Sequence, residues 1–279
     1  MTVREALCIA ADRLAQAGVP DARLDAEYLL AELLHTDRLH LIADGGAPLS
    51  DAQLNAYEQW LARRERREPL QYILGTQPFM GCMLAVSPAA LIPRADTECL
   101  CEAALAVLKP GMRVLDLCTG TGALAIALKK HCPGADVCAS DLSVDALALA
   151  RENAVRNGAD VRFFSGDLFT PLRGERFDLI VSNPPYIPRG ELPDLQAEVR
   201  FEPDMALDGG EDGLDFYRRI AAEASEHLNR NGWLMLEIGS TQGQDVSRLL
   251  QEHGFSEIKI LPDLAGLDRV VCAYNGSRK

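Results

Sequence analysis

The sequence has no apolar run that approaches the roughly 20 residues a membrane-spanning helix needs. Residues 1–16 carry acidic side chains early and alternate charged with apolar positions, a pattern unlike that of a secretory signal peptide. Hydrophobic residues make up 48% of the 279 positions and charged residues 25%, as in ordinary folded proteins, which excludes a wholly disordered chain. We therefore expect a cytoplasmic protein that does not bind membranes.

Positive charge and aromatic side chains are both scarce. The 28 Lys and Arg residues oppose 41 Asp and Glu residues, so the net charge is −13, and aromatic residues make up 6%. Proteins that bind nucleic acid need clustered cations against the phosphates, and those that hold single strands also need stacking aromatics. Nine acidic residues lie between positions 191 and 215, where they would repel phosphates. No direct DNA binding is expected.

Cysteine and histidine are present without the spacing of a metal site. No two of the eight cysteines have CxxC spacing, and the five histidines form no ligand cluster with them. We predict no metal and, in the absence of a secretory signal, no disulfide bond. The cysteines are interpreted as small buried thiols.

The chain divides into three segments of different pattern. Residues 1–74 show helical spacing of apolar residues and two capping-box sequences, which predict a small helical bundle. Residues 75–95 have extended character with glycine bends and predict a β-hairpin connector. In residues 96–279 strand and helix patterns alternate, which predicts an α/β fold with a doubly wound, mostly parallel sheet.

A cluster of four arginines interrupts the helical segment. Because runs of charge usually form solvated faces, we interpret it as an exposed helix end. The alternative is a docking patch for an acidic or RNA-bearing partner. The cluster consists of Arg63, Arg64, Arg66 and Arg67.

A glycine-rich loop follows the first predicted strand of the sheet. That strand ends near Asp116, the loop spans 118–122, and the next strand ends in Asp141. Glycines at a strand-to-helix turn let the backbone approach a ligand, and a carboxylate after the second strand can accept both hydroxyls of a ribose. Asp116 would attract the sulfonium and ammonium of S-adenosylmethionine and repel a pyrophosphate. The loop, which lacks the GxGxxG spacing, favours S-adenosylmethionine and leaves a nicotinamide cofactor open.

A rigid acceptor edge follows the strand FDLIVS, in the tetrapeptide Asn183-Pro184-Pro185-Tyr186. The two prolines fix the backbone and present carbonyls without donors, and Asn183 adds a side-chain oxygen. Such an edge suits a planar NH2 group, whose N–H bonds would donate to the Asn183 oxygen and the Pro184 carbonyl while Tyr186 stacks on the flat face. A poorly nucleophilic amide nitrogen needs this kind of orientation for methylation.

Four segments together resemble one family. They are LIPRADTE at 91–98, LDLCTGTG at 115–122, VSNPPYI at 181–187 and RFEP at 200–203. This combination is similar to the protein-(glutamine-N5) methyltransferases of peptide chain release factors, the PrmC/HemK family, over nearly the whole chain. The resemblance implies a class I methyltransferase fold and methylation, with S-adenosylmethionine, of the glutamine in the Gly-Gly-Gln motif of class 1 release factors. The resemblance also implies that the helical region 1–74 helps to recognise the release factor. We expect a monomer.

The resemblance also implies the site residues. The methionine part of the cofactor would be held by Asp116, Cys118, Thr119, Gly120, Thr121 and Gly122. The rest of the cofactor would contact Asp141, Leu142, Asp167, Leu168 and Asn183. The glutamine would be held by Asn183, Pro184, Pro185, Tyr186 and Arg94. The family commonly has glycine where this chain has Cys118, proline where it has Ala95, and in some members an aromatic residue in place of Leu168.

Four alternatives remain at this point. A sister enzyme that methylates a glutamine of ribosomal protein uL3 shares the NPPY sequence and a helical N-terminal region. An adenine-N6 methyltransferase of nucleic acids also has such a tetrapeptide, but the acidic charge disfavours it. A nicotinamide oxidoreductase and a non-catalytic adaptor are disfavoured by the intact segment 183–186.

Overall fold

The computed structural model describes residues 1–276 and divides the chain into two compact units. The helical unit consists of Met1–Thr76 together with Gln196–Phe201. The sheet unit consists of Gln77–Leu195 and the described residues from Glu202 onward. The short segment 196–201 therefore belongs to the helical unit although both of its flanks belong to the other one. Among residues 1–276, no helix combines the length and apolar character that a membrane crossing requires.

The helical unit is built from five helices. They are α1 (Val3–Gln16), α2 (Ala22–Leu33), α3 (Arg38–Ala43), α4 (Asp51–Glu65) and α5 (Leu70–Leu74). Both predicted capping boxes form, at the start of α1 with Thr2 and at the start of α4 with Ser50, where the cap hydroxyl accepts a backbone N–H three residues on. Apolar faces of these helices bury one core, in which the Tyr57 hydroxyl donates to a backbone carbonyl of α2.

The arginine cluster is largely paired inside this unit, so the interpretation as a solvated helix end is wrong. Arg64 is 4% exposed and donates to Asp25 at 2.7 Å and to Glu198 at 2.9 Å. Arg67 binds both carboxylate oxygens of Glu198, each at 2.7 Å. Burial alone would raise the pKa of Glu198, but the two arginines lower it to about 2. Two of the four arginines therefore find an acidic partner in the segment 196–201 of the same chain.

The sheet unit contains a two-stranded hairpin and a seven-stranded sheet. The hairpin strands are β1 (Thr76–Phe79) and β2 (Cys82–Ala85). The sheet strands are β3 (Arg113–Leu117), β4 (Asp136–Asp141), β5 (Val161–Ser165), β6 (Phe177–Ser182), β7 (Leu228–Glu237), β8 (Ser256–Pro262) and β9 (Asp268–Asn275). The helices are α6 (Ala95–Val107), α7 (Ala123–His131), α8 (Val144–Asn157), α9 (Asp215–His227) and α10 (Gly243–Glu252).

The sheet has the order β5-β4-β3-β6-β7-β9-β8. The pairs from β5 to β7 are parallel, and β9 pairs antiparallel with both β7 and β8. Alternate residues of β3 enter different cores, with Val114 on one face and Leu115 on the other, because helices cover both faces. The predicted α/β fold with a doubly wound, mostly parallel sheet is confirmed.

The β1–β2 hairpin is joined to α8 by a fully buried asparagine. Asn153 Oδ1 accepts from Ala85 N at 2.6 Å, and its Nδ2 donates to the carbonyls of Ala85 and Thr121, both at 3.0 Å. One side chain thus connects the connector, a helix and the glycine loop. Sequence patterns gave no indication of this role.

All eight cysteines lie within the described residues and are free thiols. The interpretation as buried thiols holds for Cys82, Cys101, Cys138 and Cys272, whereas Cys8 is exposed.

Candidate active site

The predicted site residues meet at the carboxyl edge of the parallel strands. The chain order reverses between β3 and β6, since β4 and β5 extend the sheet on one side of β3 and β7 on the other. Ligands of doubly wound sheets bind at such a switch point, outside the carboxyl ends of the strands. The loop after β3, the end of β4 and the tetrapeptide after β6 all lie there.

The glycine loop is shaped by left-handed backbone conformations. Cys118, Gly120 and Gly122 have φ angles of 58°, 55° and 83°. A Cβ on Gly122 would lie 3.0 Å from Ile126 Cδ1 and 3.2 Å from Ala150 Cβ, so this position requires glycine on two counts. The thiol of Cys118 is kept protonated, because burial raises its pKa.

Asp116 lies behind the loop rather than in the cavity wall. Its side chain is buried, and Oδ2 accepts from Thr119 Oγ1 at 2.5 Å and from Ala125 N at 3.2 Å. Its Oδ1 has no hydrogen-bond partner within the described chain. Burial raises the pKa of Asp116 to about 7 although these donors oppose the shift. The carboxyl group thus holds the loop against the start of α7.

Asp141 connects the end of β4 to the loop. One carboxylate oxygen accepts from Gly120 N and the other from Ser143 N, each at 2.9 Å. Burial raises the pKa of Asp141, and these N–H groups counteract it. A carboxylate has about four acceptor positions, so two remain for donors of a ligand. The remaining acceptor positions of Asp141 therefore fit the two hydroxyls of a vicinal diol such as a ribose.

A cavity within the sheet unit brings most of the predicted residues together. Of the predicted set, its wall contains Cys118, Thr119, Gly120, Thr121, Asp141, Leu142, Asp167, Leu168, Asn183 and Pro185. Asp116, Gly122, Pro184, Tyr186 and Arg94 are not part of the wall. Leu168 is buried with φ of 45°, and the Asp167 carboxylate accepts from Arg219 at 2.6 Å.

The acceptor edge is divided between the cavity and the core. Asn183 and Pro185 line the cavity, and Pro184 is buried. Tyr186 packs partly against the core beside the sheet, and its carbonyl accepts from Gln242 Nε2 at 3.0 Å. Burial raises the pKa of the Tyr186 phenol to about 12, so it stays protonated at neutral pH.

Arg94 is already paired. Its guanidinium donates to Glu202, whose side chain is 1% exposed and also accepts from Ile92 N at 2.9 Å. The arginine of LIPR thus binds the glutamate of RFEP, so the two motifs meet in the folded chain.

Several wall residues were not predicted from the sequence. Five of them come from the connector and from the segment after 202: Ala89, Ala90, Leu91, Pro203 and Met205. Phe216 of α9 and Thr97 of α6 also belong to the wall. The only signal for these was their position inside or beside the motifs LIPRADTE and RFEP. Phe216 had no signal, since an aromatic residue early in a helix is common.

Comparison with known proteins identifies the family. A family model described as the PrmC N-terminal domain matches residues 5–75, and one described as the methyltransferase small domain matches residues 97–198. The release factor glutamine methyltransferase of Geobacter sulfurreducens is 49% identical over 271 residues, which cover 97% of this chain and 95% of that protein. The enzyme of the same name from Moorella thermoacetica is 46% identical over 98% of this chain and 99% of its own length.

A solved structure supports the fold. The methyltransferase of Pyrococcus furiosus covers 71% of this chain and 90% of its own, with a TM-score of 0.56 and 20% identity. At that identity the likeness concerns the fold alone. The full-length relatives, together with the two family models, show that this chain belongs to the release factor glutamine methyltransferases.

Proposed function

We propose that the protein transfers a methyl group from S-adenosylmethionine to the side-chain amide nitrogen, N5, of the glutamine in the Gly-Gly-Gln motif of class 1 release factors. The observation that carries the proposal is one cavity whose wall contains both the glycine loop with Asp141 and the acceptor Asn183. Full-length relatives named for this activity support it.

The cavity wall fits the proposed cofactor. The free acceptor positions of Asp141 match the two ribose hydroxyls, and Leu142 and Leu168 offer apolar surface for the adenine. The loop Cys118–Gly122 brings backbone close to the methionine part, and Asp116 acts through that loop by holding Thr119. When bound, S-adenosylmethionine supplies a methyl group on a positively charged sulfur.

Asn183 is proposed to orient the substrate. The side-chain amide of glutamine has two N–H bonds, and Asn183 Oδ1 and the Pro184 carbonyl are acceptors suited to them. When both N–H bonds donate to these acceptors, the amide nitrogen would present its lone pair to the methyl group. Bound S-adenosylmethionine would supply the methyl group, and the amide nitrogen would release one proton to water as it accepts that group. Orientation of this kind supplies much of the rate for a weak nucleophile.

The remaining assignments concern the protein substrate. We propose that the helical unit helps to recognise the release factor, and that the protein acts as a cytoplasmic monomer. Arg94, with one N–H engaged by Glu202, retains further N–H groups for the substrate.

The test is transfer of labelled methyl groups to three acceptors: a class 1 release factor, ribosomal protein uL3 and duplex DNA. We expect label on the release factor, at the glutamine of Gly-Gly-Gln. Replacement of that glutamine by asparagine in the release factor should abolish labelling. Label on uL3 or DNA, with none on the release factor, would contradict the proposal.

Asn183 variants test the mechanism. Asn183→Ala removes one acceptor and should slow single-turnover methyl transfer by about 100-fold or more, which corresponds to roughly 2.7–4 kcal/mol. Cofactor affinity should stay nearly unchanged, because the loop and Asp141 are intact. Asn183→Asp keeps an acceptor oxygen and should retain more activity than the alanine variant. An alanine variant with at least half the wild-type rate would refute the role of this edge.

A further inference from the structure

Glu237 is a buried carboxyl group beside the proposed acceptor edge. It is the last residue of β7, whose parallel register with β6 pairs Leu236 with Ser182, so Glu237 and Asn183 follow side by side. The Glu237 side chain is 1% exposed, and Oε2 has no hydrogen-bond partner in the part of the chain that the structure describes. Burial of a carboxyl group away from water costs folding free energy unless other groups form hydrogen bonds with it.

Thr97 connects Glu237 to Asn183. Asn183 Nδ2 donates to Thr97 Oγ1 at 3.2 Å, and Thr97 itself is 5% exposed. Hydrogen bonding by the side chains of Thr97 and Asn183 lowers the pKa of the Glu237 carboxyl group, against the effect of its burial. A threonine hydroxyl has one proton, so when it donates to Glu237 it accepts from Asn183. In residues 1–276 no donor reaches Asn183 Oδ1, which leaves this oxygen for the cavity.

We propose that Glu237, acting through the Thr97 hydroxyl, is a positioning residue that fixes the orientation of the Asn183 amide. The proposal rests on the proposed function. It explains why Asn183 presents its Oδ1 acceptor, and not its NH2 group, to the substrate amide. A flipped amide would direct its NH2 group at the NH2 group of the substrate, and two donors cannot bond each other. The carboxylate opposes the flip through the Thr97 hydroxyl, which accepts from Asn183 Nδ2 at 3.2 Å once its own proton is directed to Glu237. A flipped amide would place Oδ1 against this hydroxyl oxygen, and two acceptors cannot bond each other.

Other charged groups bear on the ionisation of Glu237. Burial raises its pKa to about 7, while Arg269 lowers it and Asp96 raises it. Arg269 is itself paired with Asp263 at 3.0 Å and with Asp96 at 3.3 Å. The phenols of Tyr186 and Tyr217 also interact with this carboxylate and stay protonated, because burial raises their pKa values. Glu237 is therefore converted from the carboxylic acid to the carboxylate as the pH rises through neutrality.

The first arm of the test compares three threonine variants of the full-length protein. Thr97→Val removes the hydroxyl and keeps the shape, Thr97→Ser keeps the hydroxyl, and Thr241→Val makes the same change at an exposed site of the sheet unit. We expect Thr97→Val to lower the single-turnover rate at least tenfold with unchanged affinity for S-adenosylmethionine. Thr97→Ser should recover at least a third of the wild-type rate.

The second arm needs no substrate. The side-chain NH2 resonances of Asn183, assigned by their loss in Asn183→Asp, should titrate with a midpoint near pH 7 in the wild type. They should be independent of pH in Glu237→Gln and shifted in Thr97→Val. Resonances unaffected by both variants, or a Thr97→Val rate within twofold of wild type, would overturn the inference. A wild-type protein that fails to methylate the release factor would instead overturn the proposed function.

Discussion

Replacement of Arg64 by alanine should destabilise the helical unit far more than its place in a charged cluster suggests. Arg64 donates to Asp25, to Glu198 and to the backbone carbonyl of Glu68. Removal of the guanidinium leaves the Asp25 carboxylate, 7% exposed, without its cation. Breaking a buried ion pair from one side costs about 3–5 kcal/mol of unfolding free energy. The exposed Arg66, two positions on, should cost no more than about 0.5 kcal/mol when changed to alanine.

The two tryptophans allow this difference to be measured in the whole protein. Trp60 lies in the helical unit and Trp233 in the sheet unit, so Trp233→Phe leaves a fluorophore that reports on the helical unit alone. Urea unfolding in that background would compare Arg64→Ala with Arg66→Ala. A loss below about 1 kcal/mol for Arg64→Ala, or equal losses for both, would refute the reasoning.

A double variant separates the buried charge from the lost packing. Arg64→Met combined with Asp25→Leu replaces the pair by apolar groups, an exchange that is often neutral in protein interiors. We expect the double variant to be more stable than Arg64→Met alone. If it is less stable, the uncompensated carboxylate is not the cause of the loss.

Three further predictions concern the sheet unit. Asp141→Ala should weaken S-adenosylmethionine binding at least tenfold, about 1.4 kcal/mol, while release factor binding changes less; unchanged affinity in calorimetry would contradict the ribose assignment. Cys118→Gly should keep or improve cofactor affinity, since φ at this position is 58° and glycine adopts it without strain; a tenfold loss would reveal a contact of the thiol. Burial raises the pKa of Glu237 from 4.5 to about 7. The contribution of this group to stability is therefore complete below pH 4.5 and is lost as the pH rises from 4.5 through 7. Glu237→Gln should therefore remove a decrease of about 3 kcal/mol between pH 4.5 and 8, measured by urea unfolding; equal pH profiles would show that this carboxyl group does not titrate there.

The fold could be predicted because its signals are local. Short apolar runs such as RVLDL and FDLIVS separated by helical patterns indicate a parallel sheet, and capping boxes locate helix starts. The long-range pairings carry no such signal. Glu198 stands 134 positions after Arg64, so the pattern of the cluster could show its charge but not its partner.

The site was predictable as far as its backbone is concerned. Loop 118–122, Asp141 and Asn183 lie at the carboxyl ends of β3, β4 and β6, which are neighbours in the sheet, and parallel strands direct such residues to one edge. The residues that hold them in place were missed. Asn153 lies in mid-helix and Glu237 at the end of a strand, positions where a polar residue is ordinary, and only tertiary contacts distinguish them.

The segment Gln196–Phe201 has a consequence for dissecting this protein. The backbone runs from the sheet unit into the helical unit for six residues and returns, so neither unit is a continuous stretch of sequence. A fragment ending at residue 76 lacks Glu198 and leaves the guanidinium of Arg67 without its carboxylate. A fragment starting at residue 77 retains the segment 196–201 but lacks Arg64 and Arg67, which bind it. Neither half can therefore be exchanged by itself between relatives. A chimeric protein must take residues 1–76 and 196–201 from the same parent.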